Sequence, residues 1–243
     1  MRLTRCYVAL PMQAGARVVL PELVANHLAR VLRLREGDAC VLFNGDGQDH
    51  DGRIASIGKR EVVVELQASR AVDNESPLHV TLLQGIARGE KMDLILQKAT
   101  ELGVAAIVPV MAERTEVKLD AERTEKRMAH WRSVIASACE QSGRARLPGL
   151  SAPTALNDAA RGIASDALRL TLDPTGDVSL ATMQIVGGAV VVAIGPEGGW
   201  SPRDRDTLSA AGFTGLRLGP RILRTETAGL AAIAALQSRF GDL

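Results

Sequence analysis

VVVAIGPEGGWSPRDRDTLSAAGFTGLRLGPRILRTETAGLAAIAAL, residues Val190–Leu236, decides how this chain is read. Val190–Ile194 is a short, β-branched run of the kind that forms a strand buried on both faces. It stops at Gly195-Pro196-Glu197-Gly198-Gly199, where absent Cβ atoms permit positive φ and let the backbone approach a ligand. Ser201-Pro202-Arg203-Asp204 predicts a helix start, with Ser201 as N-cap, Pro202 at N1 and Asp204 at N3. Gly212 closes that helix as its C′ residue. The pattern then repeats. Leu216–Leu218 is a strand, Gly219-Pro220-Arg221 a turn, and Thr225-Glu226-Thr227 leads into an Ala/Leu/Ile helix. Two strand–loop–helix units side by side put two loops at the carboxyl end of a parallel sheet, where open α/β sheets bind ligands. A Gly-Pro after a strand is by itself only a turn. Here polar residues crowd both loops: Glu197 in the first, and Arg221, Arg224, Thr225, Glu226 and Thr227 in the second.

Upstream, the same alternation extends back to residue 78. A strand over Leu78–Ile86 precedes Arg88-Gly89-Glu90-Lys91 and a helix with the apolar stripe Met92, Ile95, Leu96, Ala99 and Leu102, ended by Gly103. A strand over Ala105–Val110 and a long helix over roughly Ala121–Gln141 follow, the latter apolar at Met128, Trp131, Ile135 and Ala138. Leu168–Leu172 is a further strand, and Asp173-Pro174 after it forms a third loop near the ligand. Strands alternating with helices predict an α/β sheet domain over 78–243. The polar run Ala68–Pro77 contains the linker, placed at 71–77. Residues 1–70 predict a small β-rich unit. It holds a strand at Arg17–Leu20, a helix over Pro21–Leu34 with Leu23, Val24, Leu28, Val31 and Leu32 apolar, and a strand at Ala39–Phe43. The hairpin signal Asn44–Gly47 then introduces strands at Gly52–Ile57 and Glu61–Gln67, turning at Lys59-Arg60.

At these residues the chain resembles a known family. IGPEGGWS (Ile194–Ser201) and LGPRILRTETA (Leu218–Ala228) are similar to the two C-terminal signatures of the SPOUT-type RNA methyltransferases, and more narrowly of the RsmE-type 16S rRNA uridine-N3 methyltransferases. EKMDLILQKATELGV (Glu90–Val104) and ACEQSGRARLP (Ala138–Pro148) match the central patterns of that family, so the resemblance covers most of the chain. It implies an α/β trefoil-knot domain whose loops hold S-adenosylmethionine, and an N-terminal PUA-like RNA-binding β-barrel. It also implies a homodimer acting in the cytoplasm on 16S rRNA within the assembled small ribosomal subunit, at position 1498.

The site residues follow from the loops and this resemblance. Cofactor contacts are expected from Leu172, Ile194, Gly195, Glu197, Gly198, Gly199, Leu218, Gly219 and Leu223, largely through backbone, with Thr225 as a side-chain contact. Uridine N3 becomes nucleophilic as its proton leaves, so the site needs a proton acceptor or cations that stabilise the base anion. Arg224 is the first candidate for the electrostatic role and Arg221 the alternative. Glu197 and Glu226 are the candidate acceptors, although Glu226 also suits a helix N-terminus and Glu197 could tie down its own loop. RNA contacts are expected from Arg5, His27, Arg30 and Arg33, with Arg35 beside them, and from Arg144 in the central motif.

Composition excludes rather than selects. At 243 residues, 46% apolar and net charge +1, the chain has enough apolar material for a core but no overall basic field. Cys6, Cys40 and Cys139 lack metal-ligand spacing and predict unpaired, buried thiols of a reducing compartment. Asp49-His50-Asp51 lacks a fourth ligand, so no metal is expected. No apolar run is long enough for a membrane span or a signal peptide. Few aromatics are present, so RNA recognition would rest on shape and phosphate contacts. A Rossmann-type methyltransferase would carry its glycine fingerprint after the first strand, and a phosphate-loop hydrolase would need a lysine where none follows Lys126. The remaining alternative is a non-catalytic RNA-binding or ribosome-assembly protein, which would not need the polar crowd at 197 and 221–227.

Overall fold

A computed structural model describes residues 3–58, 61–117, 120–176 and 178–243. The chain divides into two compact units, Met1–Glu75 with Ala136–Leu147, and Ser76–Ile135 with Pro148–Leu243. The expected linker begins at Ala71, still within a strand, and the segment 136–147 groups with the N-terminal unit.

The first unit is a five-stranded sheet in the order β1-β3-β4-β5-β2. Its strands are β1 (Thr4–Tyr7), β2 (Arg17–Val19), β3 (Ala39–Phe43), β4 (Gln48–Ile57) and β5 (Val62–Ala71). β3, β4 and β5 form an antiparallel meander; β1 pairs parallel with β3, and β2 antiparallel with β5. Alternate residues Val62, Val64 and Leu66 point into a core with Leu42, Ile54, Cys6 and Leu28, which is the period-two pattern of a half-buried strand. The expected Lys59-Arg60 turn lies outside the described residues. Asp49, His50 and Asp51 belong to β4, and the first two are buried.

One element differs from its expectation. In place of a helix over 21–34, α1 (Glu22–Asn26) passes into a π-helical turn at His27–Val31, where the Leu32 amide donates to the His27 carbonyl at 3.0 Å. The helix stops before Arg33, whose φ of 56° is left-handed. The wider turn rotates the apolar stripe. Leu28 and Ala25 are buried, whereas Leu23 and Val31 face solvent.

The second unit is an eight-stranded sheet, parallel throughout, in the order β11-β13-β10-β12-β6-β7-β8, with β9 also paired to β7. In chain order its elements are β6 (His79–Gly85), α2 (Glu90–Glu101), β7 (Ala106–Met111), α3 (Ala121–Ser142), β8 (Gly149–Leu150), β9 (Thr154–Ala155) and α4 (Leu156–Arg161). Then come β10 (Leu168–Leu172), β11 (Val178–Ser179), β12 (Ala189–Ile194), α5 (Pro202–Ala210), β13 (Thr214–Arg217) and α6 (Thr225–Phe240). Helix α3 contributes to both units. Both faces of the central strands are covered. Val191 and Ala193 pack with Leu156, Leu208 and Phe213 from the α4 and α5 side. Leu82 and Ile194 lie against Gly229 of α6 on the other. Double coverage explains why β12 reads as an unbroken apolar run. β13 begins at Thr214, two residues earlier than expected, because its ladder to β10 starts at Leu170 opposite Thr214. Leu218 therefore belongs to the loop. β10 lies between β12 and β13, so the loops leaving all three strands emerge together at their carboxyl ends.

Candidate active site at the carboxyl ends of three parallel strands

The loop after β12 turns back on itself. The Gly199 amide donates to the Pro196 carbonyl at 2.8 Å, and Gly199 holds φ at 65°. A Cβ on Gly195 would sit 3.1 Å from both Gly199 C and Trp200 N, so any side chain there would push the loop open by a few tenths of an ångström. Ser201 then caps α5 as expected: its hydroxyl accepts from the Asp204 amide at 3.1 Å and its own amide donates to Asp204 at 3.0 Å. The loop after β10 is fixed by the Asp173 amide donating to Leu216 O at 3.1 Å. The Asp173 carboxylate accepts from the Thr175 amide and hydroxyl. These bonds, with help from Arg205 and against slight burial, hold its pKa below the usual range. The loop after β13 runs through Gly219 to Arg224, which stands at the N-cap of α6.

These three loops enclose a cavity of about 290 Å³. Of the expected cofactor residues, Leu172, Ile194, Gly195, Glu197 and Gly199 line it, as do Leu218, Gly219, Leu223 and Thr225. Arg221 and Arg224 line it too, and both are exposed. Gly198 does not. Its carbonyl instead accepts from Arg114 Nη1 at 3.0 Å, and a Cβ added at Gly198 would meet the Arg114 side chain at 3.0 Å. Glu226 is also absent from the lining. Its carboxylate turns toward Lys91, with Oε2 4.0 Å from Nζ and without a hydrogen-bond partner among the described residues. Sequence reasoning missed Trp200, Arg205, Ile222 and Ala228 as lining residues. Trp200 is held by its indole N–H donating to Thr171 Oγ1 at 3.1 Å. The only available signal was proximity to the glycine loops.

Glu197 is already engaged. Its Oε1 accepts from the Arg88 amide at 3.0 Å and lies 3.5 Å from Lys91 Nζ. Partial burial disfavours its charge, but the Arg88 amide, its own amide and Lys91 outweigh that and leave its pKa lowered. An ionised, hydrogen-bonded carboxylate of lowered pKa is a weak base and a good loop tie.

Two of the arginines expected to touch RNA are structural. Arg5 is buried, with its Nε 2.9 Å from Asp49 Oδ1, its Nη1 2.8 Å from Cys139 O, its Nη2 3.0 Å from Arg144 O, and its guanidinium 4.0 Å from the Phe43 ring centroid. Arg144 is buried and donates to Glu75 at 3.0 Å. Their donors are spent on holding the first unit together. His27, Arg30 and Arg33, with Arg35, remain exposed on the same unit. The three cysteines are free and buried. Among the described residues no cluster of metal-ligating side chains occurs, and no helix is long and apolar enough to cross a membrane.

Comparison with known proteins fits this geometry. A model of the RNA methyltransferase domain matches residues 74–237, and one of the RNA methyltransferase PUA domain matches residues 22–67. The ribosomal RNA small subunit methyltransferase E of Buchnera aphidicola is 30% identical over 242 residues, spanning 100% of this chain and 98% of the relative. The chain belongs to the ribosomal RNA small subunit methyltransferase E family. A solved member of this methyltransferase E family from Neisseria gonorrhoeae, bound to S-adenosylmethionine, superposes with a TM-score of 0.92 at 39% identity over the full length of both chains. A Legionella pneumophila protein in complex with bound SAM superposes with a TM-score of 0.96, again at 39% identity and full coverage. As a methyltransferase E family member, the chain combines an α/β RNA methyltransferase domain with an N-terminal PUA-like unit, the two-part α/β organisation that its signatures imply.

Proposed function

We propose that this protein methylates N3 of a uridine of 16S rRNA within the assembled small ribosomal subunit, at position 1498, using S-adenosylmethionine bound in the three-loop cavity. One observation carries the reading. A cavity of about 290 Å³ with leucine and isoleucine walls, exposed glycine backbone and a rim of Arg221 and Arg224 suits a nucleoside carrying a charged tail. Leu172, Ile194, Leu218 and Leu223 would wall the adenine; the Gly199 carbonyl and the backbone of Gly195 and Gly219 would meet its polar edge. When bound, the cofactor supplies an electrophilic methyl group.

The residues then orient the base and manage its proton. In-line displacement draws much of its rate from orientation, which the rigid strand ends supply. Arg224, fixed at the start of α6, would stabilise the anion that develops on the uracil as N3 loses its proton, with Arg221 as the second cation. Of the two candidate acceptors, Glu197 lines the cavity but is held by Arg88 and Lys91, and Glu226 turns toward Lys91 outside the lining, so the N3 proton would pass to water while the arginines stabilise the anion. His27, Arg30 and Arg33 on the N-terminal unit would contact rRNA phosphates. The open groove where Leu180, Leu223, Ala231 and Ala235 lie beside Arg217 and Arg221 would meet a second copy in a homodimer, and the enzyme would act in the cytoplasm.

The test is transfer of tritiated methyl from S-adenosylmethionine to small subunits lacking N3-uridine methylation, followed by digestion and nucleoside chromatography. Label in 3-methyluridine supports the reading. Label in another nucleoside would discard the uridine-N3 assignment; no label together with no cofactor binding would favour the RNA-binding scaffold.

A further inference from the structure

Gln84, the penultimate residue of β6, has no solvent exposure, yet it is polar and comes from a strand outside the three cofactor loops. Its Nε2 donates to the Gly85 carbonyl at 2.9 Å and to Thr225 Oγ1 at 3.0 Å. The Gly85 carbonyl can only accept, which fixes the orientation of the amide. Thr225 Oγ1 in turn donates to the Gly195 carbonyl at 2.6 Å. A hydroxyl has one proton. With a Gln84 N–H aimed at its oxygen, that proton is committed to Gly195.

Two further observations bear on why a glutamine stands there. Its Oε1 is buried without a partner among the described residues, an arrangement that stability alone would not retain. The next residue, Gly85, lies flat under the same loop: a Cβ there would come within 2.4 Å of Pro196 N and 2.8 Å of Gly195 C. The end of β6 is therefore a template for the Gly195-Pro196 peptide. Gly85 lets it lie down and Gln84 pins it through Thr225.

We infer that Gln84 is a positioning residue for the cofactor loop, acting through Thr225 on the Gly195 carbonyl. Thr225 is on this account a clamp between α6 and the β12 loop, and its hydroxyl proton is withheld from the ligand. The inference rests on the reading of the cavity as the S-adenosylmethionine site, but part of its test does not.

Gln84→Met keeps length and volume while removing both donors. Calorimetric titration is expected to show S-adenosylmethionine affinity about tenfold weaker in Gln84→Met, the scale seen when a supporting partner behind a ligand contact is lost. Thr225→Val should lose a similar amount, and the double variant no more than Thr225→Val alone, because the two act in series. Thr225→Ser should bind like wild type, and kcat at saturating cofactor should stay within about threefold for Gln84→Met. Thermal melts without cofactor control for folding. Wild-type affinity in Gln84→Met, or additive losses in the double variant, would overturn the inference. Hydrogen exchange of the Gly199 amide in the free protein gives an arm independent of the ligand. It should quicken in Gln84→Met, and an unchanged rate counts against the clamp even if the wild type binds no S-adenosylmethionine, a result that would separately remove the reading of the cavity.

Discussion

Arg224 is held where its backbone is least free, at the N-cap of α6, where its carbonyl accepts the Thr227 and Ala228 amides at 2.9 and 2.8 Å. Its side chain projects from that fixed point into the cavity lining. Alanine there should leave cofactor affinity within about threefold while lowering kcat by roughly a hundredfold, the usual cost of deleting one preorganised charge-stabilising donor. Single-turnover methyl transfer with saturating cofactor measures this, and near-normal turnover would assign the role elsewhere. At this scale legibility depended on the partner. Arg221, Arg224 and Thr225 could be named from their own loop because the loop itself lines the cavity. Arg5 and Arg144 could not be distinguished from surface arginines, since the groups that consume them, Asp49, the Cys139 carbonyl and Glu75, are remote or unmarked in sequence. Gln84 was silent for the same reason: its partner lies 141 residues away.

At the scale of elements, local rules were sufficient wherever termination chemistry was strong. The Ser201–Asp204 capping box, Pro202 and Gly212 gave both ends of α5. Ser201→Ala should cost about 1 kcal/mol, read as a lowered denaturant midpoint with unchanged slope. Weak stop signals gave the opposite result. Nothing in Pro21–Leu34 announces the π-turn at His27–Val31, because one carbonyl shift along the ladder leaves no compositional mark. Close approach of elements was equally hidden. Gly85→Ala puts a methyl group onto the Gly195-Pro196 backbone, so it should displace that loop and abolish measurable cofactor binding while the protein still melts cooperatively. Binding within threefold of wild type in a correctly folded Gly85→Ala would show that the loop yields without consequence.

For the whole molecule, the α/β order of the second unit was readable from alternating strand and helix patterns, but the order of strands in the sheet was not. Placing β10 between β12 and β13 depends on long-range pairing that periodicity does not encode, and that placement gathers the loops into one cavity. The first unit carries a pH signature. Burial pushes the Cys6 thiol up to about 12 and Cys40 and Cys139 up to about 11, from an ordinary value of 9.0. The folded state keeps these protons where the unfolded chain sheds them, so the contribution is present below pH 9 and lost as pH rises toward 11 to 12. Urea midpoints should therefore fall more steeply above pH 9 in the wild type than in a Cys6→Ala/Cys40→Ala/Cys139→Ala variant; parallel curves would refute this. Calorimetric titration of S-adenosylmethionine into the wild type and Ala228→Phe tests whether the methyl donor sits in the three-loop cavity. Ala228 lines the cavity from α6 and is 8% exposed, so the larger ring occupies the space the cofactor needs. One equivalent bound by the wild type, and none by a folded Ala228→Phe, is the predicted result; equal binding by both would place the cofactor elsewhere.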